Sequence, residues 1–143
     1  MNRYRRALIF VVLFLAATAV PAQEATPTPT ATPLPVFSLT PGSAVEGTIT
    51  DATALVRYSF DATAGDAVSI TMTTTSGDLD PFLTILGPDN ELIEQDDDDG
   101  GGRNAAIATT INRTGRYVVE AARYAQGGAD STGTFRLTLD IAG

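Results

Sequence analysis

The side chains of this sequence that are suited to chemistry are carboxylates, and six aspartates fall in two short segments. The first segment is Gly-Asp-Leu-Asp at residues 77–80, and the second is four consecutive aspartates followed by Gly-Gly-Gly-Arg at residues 96–103. Two apolar runs between the segments flank Gly-Pro-Asp-Asn at residues 87–90, which is turn chemistry typical of a β-hairpin. A symmetric hairpin about this turn places Asp80 opposite Asp97 and Asp78 opposite Asp99. The sequence therefore predicts that both acidic segments meet at one end of the hairpin.

Carboxylates at this density predict a cation site. Like charges on facing strand positions are destabilising, and Arg103 is the one cationic residue in the two segments. Calcium takes about six to eight oxygen ligands, and a glycine run lets the backbone curl around an ion. We expect weak calcium binding by these carboxylates, with backbone carbonyls of residues 100–102 as further ligands: Asp78, Asp80, Asp96, Asp97, Asp98 and Asp99. The alternative is a solvated acidic face that keeps the domain soluble, with Arg103 as its counter-charge.

Composition argues against catalysis. The sequence has no His and no Cys, and all of its nine basic residues are arginines. The usual general base, thiol nucleophile and amine of enzymes are therefore missing. Glycoside hydrolysis by two carboxylates needs one acid in an apolar pocket, whereas these aspartates are predicted to lie in an exposed loop. An EF-hand starting at Asp96 also fails, because its last position holds Ile107 where a bidentate Glu is required.

The N-terminal segment predicts export. Three arginines are followed by an apolar run over residues 7–20, which is short for a membrane span, and by Val-Pro-Ala, a small-residue cleavage pattern. We expect a signal peptide over residues 1–22, with an uncleaved anchor as the alternative. Residues 23–35 are rich in Thr and Pro and predict an extended linker that does not pack. The protein is therefore expected to be secreted or displayed on the cell surface, with no membrane insertion once the signal is removed.

The charge of the exported chain limits its partners. Residues 1–22 contain three of the nine arginines and no acidic residue, so their removal moves the formal net charge from −8 to −11. Nucleic acids and anionic lipids require basic patches, so neither is an expected partner. Because the chain has no Cys, the fold must be held by an apolar core or by metal.

Alternation of apolar and polar residues predicts β-strands from residue 44 onward. The pattern is clearest in the last segment, where Phe135, Leu137, Leu139 and Ile141 point to one side. Residues 82–86 are apolar on both faces, as in a central strand. About eight such segments over residues 36–143 predict one all-β domain, a two-sheet antiparallel sandwich.

Five segments resemble the bacterial pre-peptidase C-terminal domain, a small secreted β-sandwich. They are the segment that begins Phe-Asp-Ala-Thr-Ala-Gly-Asp at residues 60–70, the hairpin at 78–93, the acidic and glycine loop at 96–102, the segment that begins Thr-Gly-Arg-Tyr at 114–121 and the segment that begins Thr-Gly-Thr-Phe at 132–139. The resemblance implies a jelly-roll-like sandwich without catalysis of its own, which serves in binding, in targeting or as a piece removed during maturation. Some relatives bind calcium.

The sequence departs from the family pattern in two respects. Where the family often has two aspartates before the aromatic pair of the second strand, this chain has Ala54 and Val56 ahead of Tyr58 and Phe60. Any calcium ligand that the family draws from there is missing. The domain also follows a predicted signal and linker rather than a peptidase, so a role in maturation would require a separate peptidase partner.

Two classes of function remain after these exclusions. The first is a binding or adhesion module that contacts an unidentified extracellular polymer or protein through its sandwich surface or through the aromatic residues Tyr117 and Tyr124. The second is a structural or solubility domain without a ligand. Tyr117 is assigned to the core rather than to a binding surface, because it follows the alternation of its strand.

Overall fold

The computed structural model of the chain describes residues 33–125 and 130–143, whose alternating apolar residues form strands with one face turned inward. The predicted signal peptide and residues 23–32 of the predicted linker lie outside these residues. The strands are β1 (Val36–Ser38), β2 (Ala44–Ile49), β3 (Leu55–Ala62), β4 (Ala67–Gly77), β5 (Pro81–Leu86), β6 (Leu92–Asp96), β7 (Ala105–Thr110), β8 (Gly115–Arg123) and β9 (Gly133–Ala142).

The strands form two sheets that pack face to face. The five-stranded sheet has the order β1-β3-β8-β5-β6, and the four-stranded sheet has the order β2-β9-β4-β7. Every pairing is antiparallel except that of β1 with β3, which is parallel. The predicted all-β sandwich is therefore confirmed. No residue that the structure describes belongs to a helix long and apolar enough to cross a membrane.

The number of strands differs from the prediction by one. The eight segments predicted from alternation correspond to β2–β9, and the additional strand is β1. Its three residues follow Pro35 and are all exposed, so they offer neither a repeated alternation nor a buried face. Pairing with residues 57–59 of β3 is what makes this segment a strand.

The core lies between the sheets and is dominated by β9. This strand pairs with β2 on one side and β4 on the other, and Phe135, Leu137 and Leu139 are fully buried. On the facing sheet, the rings of Phe60 and Tyr117 stack with centroids 5.6 Å apart. The Tyr117 hydroxyl donates a hydrogen bond to the Arg113 carbonyl at 2.7 Å, which confirms that this tyrosine belongs to the core.

The hairpin formed by β5 and β6 sets the position of the acidic segments. β5 lies between β8 and β6, which confirms the central placement predicted for residues 82–86. Leu83 is paired with Asp96, whereas the symmetric hairpin predicted from the sequence would pair it with Glu94. The predicted register is wrong by two residues. The turn is longer on the β6 side, and an irregularity between Ile85 and Leu86 adds a residue to that strand.

Candidate functional site: the acidic loop

Three consecutive aspartates converge at the point where β6 ends. Asp96, Asp97 and Asp98 each present one carboxylate oxygen, and these three oxygens lie within 4.8 Å of one another. Asp96 and Asp97 are half-buried and Asp98 is exposed. We call these three residues the acidic cluster. Carboxylate oxygens at this spacing are suited to sharing one cation.

Backbone hydrogen bonds hold the loop that carries the cluster. Oδ2 of Asp96 accepts from the N–H of Asp99 at 3.0 Å and from the N–H of Ala106 at 2.8 Å. The loop closes where the N–H of Gly100 donates to the Asn104 carbonyl at 2.7 Å. Because Asp96 bridges β6 to β7 in the other sheet, its carboxylate is fixed in place before any ion binds.

Glycines are required at the tip of this loop. Gly101 and Gly102 have φ values of 90° and 70°, which side chains other than glycine's rarely adopt. The Gly101 carbonyl accepts from both the backbone N–H and the side-chain amide of Asn104. This carbonyl is therefore already engaged, which makes it a poorer metal ligand than the sequence suggested.

Asp80 approaches the acidic cluster, whereas Oδ1 of Asp78 bonds to the segment before β9. The charge of Asp80 contributes to raising the pKa of Asp97, so the two carboxylates are close although their strand positions do not pair. Oδ1 of Asp78 accepts from the N–H of Thr132 at 3.1 Å, while its own N–H donates to the Thr132 carbonyl. This pair of bonds anchors the segment before β5 to the segment before β9. Asp78 is thus explained as a structural contact.

None of the described arginines forms an ion pair with the acidic cluster. Ion pairs within the described ranges involve five of the six arginines that follow residue 33, and their acidic partners all lie outside residues 96–99. Arg103 is exposed and forms no ion pair with any residue that the structure describes. The counter-charge that the alternative interpretation assigned to Arg103 is therefore not seen, and the repulsion among the aspartates is left to solvent or a cation.

The clearest electrostatic consequence concerns Asp97. Partial burial raises the pKa of Asp97, and the charges of Asp98 and Asp96 raise it further. Burial and like charges both disfavour the ionised carboxylate. Ionised Asp97 therefore opposes folding when no cation is present.

This raised pKa predicts an unusual dependence of stability on pH. Between the ordinary pKa of about 3.8 and the raised folded value, the folded state binds more protons than the unfolded chain, so this contribution to stability grows as pH falls. In chelator, we expect Asp97→Asn to be more stable than wild type near neutral pH. The advantage should shrink as pH falls towards 4, because wild-type Asp97 becomes neutral as well. Urea denaturation at several pH values measures the difference in free energy of unfolding between the variant and wild type. A difference that does not change with pH would show that folding does not raise the pKa of Asp97.

Sequence reasoning missed the residue that ties the loop to the sheet. Oδ1 of Asn104 accepts from the N–H of Thr74 on β4 at 3.1 Å, beside the bond between Gly100 and Asn104. The signal was available as an Asn at the end of a glycine-rich loop, where its amide can bond to local backbone. Its partner on β4 depends on sheet pairing, which the sequence does not contain.

The family model of the bacterial pre-peptidase C-terminal domain matches residues 56–123, which begin in β3 and end with β8. Residues 56–123 belong to this family. The acidic loop of this pre-peptidase C-terminal domain lies inside the match, whereas β9 lies beyond it.

Solved structures show the same sandwich. The pre-peptidase C-terminal domain of a collagenase from Bacillus anthracis has a TM-score of 0.65 at 12% identity, covering 78% of this chain and 100% of that one. The surface-associated copper-binding protein CorA of Methylomicrobium album BG8 has a TM-score of 0.59 at 12% identity, with coverage of 78% and 100%. PliG of Aeromonas hydrophila, a periplasmic inhibitor of g-type lysozyme, has a TM-score of 0.56 at 15% identity, with coverage of 75% and 97%. At these identities the likeness concerns the fold. No curated protein matches the sequence.

Proposed function

We propose that the protein is a non-catalytic accessory module that acts outside the cytoplasm, secreted or at the cell surface, and binds an extracellular polymer or protein. The observation that carries the proposal is the pre-peptidase C-terminal domain itself, recognised over residues 56–123. The predicted signal peptide supports export. Two neighbours of similar fold are described as periplasmic and as surface-associated, which agrees with this location.

The chemistry of the domain supports a role without catalysis. Ser131 is the one polar or charged residue that is buried within the described ranges. Acid and base catalysis by carboxylates depends on an acid held in an apolar pocket, where burial raises its pKa towards neutrality. Asp97, whose pKa is raised, is only half-buried and lies beside two other aspartates in an open loop. That setting suits a cation better than a proton relay.

We also propose that the acidic cluster binds calcium, with Asp80 as a fourth carboxylate. Three observations support this assignment: the carboxylates converge, no arginine of the described residues pairs with them, and the glycines at the loop tip leave room for an ion. With one oxygen from each, four carboxylates supply fewer ligands than the roughly six to eight that calcium takes, so water completes the set. Sites of this kind in extracellular modules have dissociation constants of about 10⁻⁴ to 10⁻³ M. Magnesium binds less well, because it requires a tight octahedron and keeps its own waters.

Binding to the cell envelope tests the proposed function. The purified protein is incubated with isolated envelope fractions in calcium and in chelator, and the bound fraction is measured as a function of protein concentration. We expect saturable binding to one fraction, reduced in chelator and in Asp98→Asn. Asp140→Asn serves as the control because it removes an exposed aspartate from β9. Absence of saturable binding to any fraction would favour a purely structural domain, or an appendage that acts only with a separate peptidase.

A further inference from the structure

One side of the sandwich is open between the two sheets. β1 is the edge strand of one sheet and β2 is the edge strand of the other, and a cleft of about 900 Å³ lies between them. Its walls are mainly apolar and include Phe37 and Val45 from the two edges, with Ala54, Val56 and Tyr58 behind them. Phe37 is 52% exposed, which is unusual for an aromatic side chain that faces the interior. The volume is within the range of sites that bind ligands, about 300–1,000 Å³.

The free edge of β2 forms part of the wall. Four consecutive residues of β2, numbers 45–48, line the cleft, so the backbone as well as the side chains borders it. The Leu139 carbonyl of β9 accepts a hydrogen bond from the N–H of Gly42, just before β2. The backbone N–H and C=O groups of the odd-numbered residues of β9 therefore point towards β2. The backbone N–H and C=O groups of the odd-numbered residues of β2 therefore point to β9, opposite their register partners. Backbone groups of Glu46 and Thr48 point to the open edge and have no partner among the described residues.

Tyr58 contributes a polar group at the back of the cleft. Its side chain is 96% buried and packs between the rings of Phe37 and Phe135. Burial raises the pKa of Tyr58, so the hydroxyl stays neutral and can donate a hydrogen bond. No hydrogen bond joins the hydroxyl to a described residue, and Tyr58 is among the residues that line the cleft. The hydroxyl is thus available to a molecule in the cleft.

The charge of the domain narrows the choice of occupant. From residue 33 onward the chain has sixteen acidic residues and six arginines, and among the described residues Glu46 is the only charged one that lines the cleft. A neutral apolar group fits the cleft, and flanking positive charge is attracted by the domain as a whole. Anionic amphiphiles such as fatty acids are disfavoured on the same grounds.

We propose that this cleft binds an extended peptide, which pairs with the free edge of β2 and inserts alternate apolar side chains between β1 and β2. Unpaired backbone donors and acceptors beside an apolar groove are the chemistry by which a sheet edge takes up a further strand. β2 has six residues and offers about 20 Å of edge. Pro33 and Pro35 precede β1 and hinder pairing at that neighbouring edge, which directs the peptide to β2. This inference rests on the proposed binding function and names the chemistry of its partner.

The test uses a designed peptide and the full protein. The probe is a labelled acetyl-Lys-Thr-Val-Thr-Val-Thr-Lys-amide, with binding followed by fluorescence anisotropy. Two variants attack the two halves of the site: Thr48→Pro removes an edge-facing N–H without removing a bond to β9, and Ala54→Trp fills the cleft from an exposed position. Ala108→Pro is the matched control, because β7 is the opposite edge of the same sheet and Ala108 is exposed. Far-UV circular dichroism and thermal melts establish that each variant is folded.

We expect Thr48→Pro and Ala54→Trp each to weaken peptide binding by about tenfold or more. Thr48→Pro removes a hydrogen bond to the peptide, and Ala54→Trp occupies the space that an apolar side chain of the peptide would fill. Ala108→Pro should bind like wild type. Replacing both valines of the probe by serine, or both lysines by glutamate, should also weaken binding. In hydrogen exchange, the amides of Glu46 and Thr48 should become protected when the peptide binds.

Three outcomes would overturn the inference: no peptide binding by wild type, full affinity in folded Thr48→Pro, or binding of the neutral dye Nile red in the cleft without any binding of peptide. The last outcome would show that the cleft takes a small apolar ligand instead. Failure of this inference is distinguishable from failure of the proposed function. If the peptide does not bind but the protein still binds envelope fractions, the proposed binding function is retained and only the ligand assigned to the cleft is wrong.

Discussion

A chain that ends at Thr132 will not unfold cooperatively, because it lacks β9. This strand is the link between β2 and β4, so its removal leaves β2 without a partner in its sheet. Phe135, Leu137 and Leu139 are fully buried, and burying each such side chain contributes about 1.5–3 kcal/mol. Their combined loss is comparable to the total stability of a small domain, about 5–15 kcal/mol. Thermal denaturation followed by circular dichroism measures the effect.

A chain that ends at Ile141 is the control for this truncation. It lacks only Ala142 and Gly143, which are exposed, and it keeps the buried residues of β9. We expect it to melt within a few degrees of the full-length protein. A cooperative transition near the full-length temperature in the chain that ends at Thr132 would contradict the strand order described above.

Asp97→Asn will change stability in opposite directions with and without calcium. In chelator the variant should melt at a higher temperature than wild type, because it removes a carboxylate whose ionised form is disfavoured in the folded protein. In about 5 mM calcium, binding with a dissociation constant of 10⁻⁴ to 10⁻³ M stabilises wild type by about 1–2 kcal/mol, a shift of several degrees for a domain of this size. The variant loses a ligand, so most of this shift should disappear.

Two controls separate this effect from general screening of charge. Asp140→Asn has the same change of charge at an exposed position on β9, and it should show the full calcium shift. Magnesium at equal ionic strength should stabilise wild type less than calcium does. An Asp97→Asn protein that keeps the wild-type calcium shift would show that the acidic cluster is a solvated face.

Most of the fold could be predicted because alternation reports directly on burial. The pattern of residues 134–141 requires one buried face, and in the structure Phe135, Leu137 and Leu139 occupy it. Residues 82–86 lack a polar face, and β5 is a central strand, with β8 and β6 as its neighbours in the sheet. Each of these inferences uses a property of a single strand.

The candidate site was predicted less completely because it depends on relations between strands. The acidic cluster was found from local composition, but a symmetric hairpin could not reveal the irregularity between Ile85 and Leu86 that moves the register. Asp78 was assigned to the cation site by that register, whereas its carboxylate bonds to Thr132, more than fifty residues away along the chain. Contacts of this kind depend on how two distant loops pack against each other, and the local sequence does not predict that packing.

The cleft between β1 and β2 could not be predicted at all. It requires a three-residue strand that pairs in parallel with β3, together with an edge of the other sheet on the same side of the sandwich. Phe37 and Val45 belong to segments that are adjacent in sequence and lie in different sheets.

The central claim is that the acidic cluster is a calcium site of a pre-peptidase C-terminal module, and calorimetric titration of the purified protein with calcium tests it most directly. At fixed ionic strength we expect one calcium per chain, with a dissociation constant of about 10⁻⁴ to 10⁻³ M, and no comparable signal with magnesium. Asp98→Asn should bind at least several-fold more weakly, whereas Asp140→Asn should bind like wild type. A titration without saturable heat, or equal affinity in Asp98→Asn and wild type, would contradict the claim.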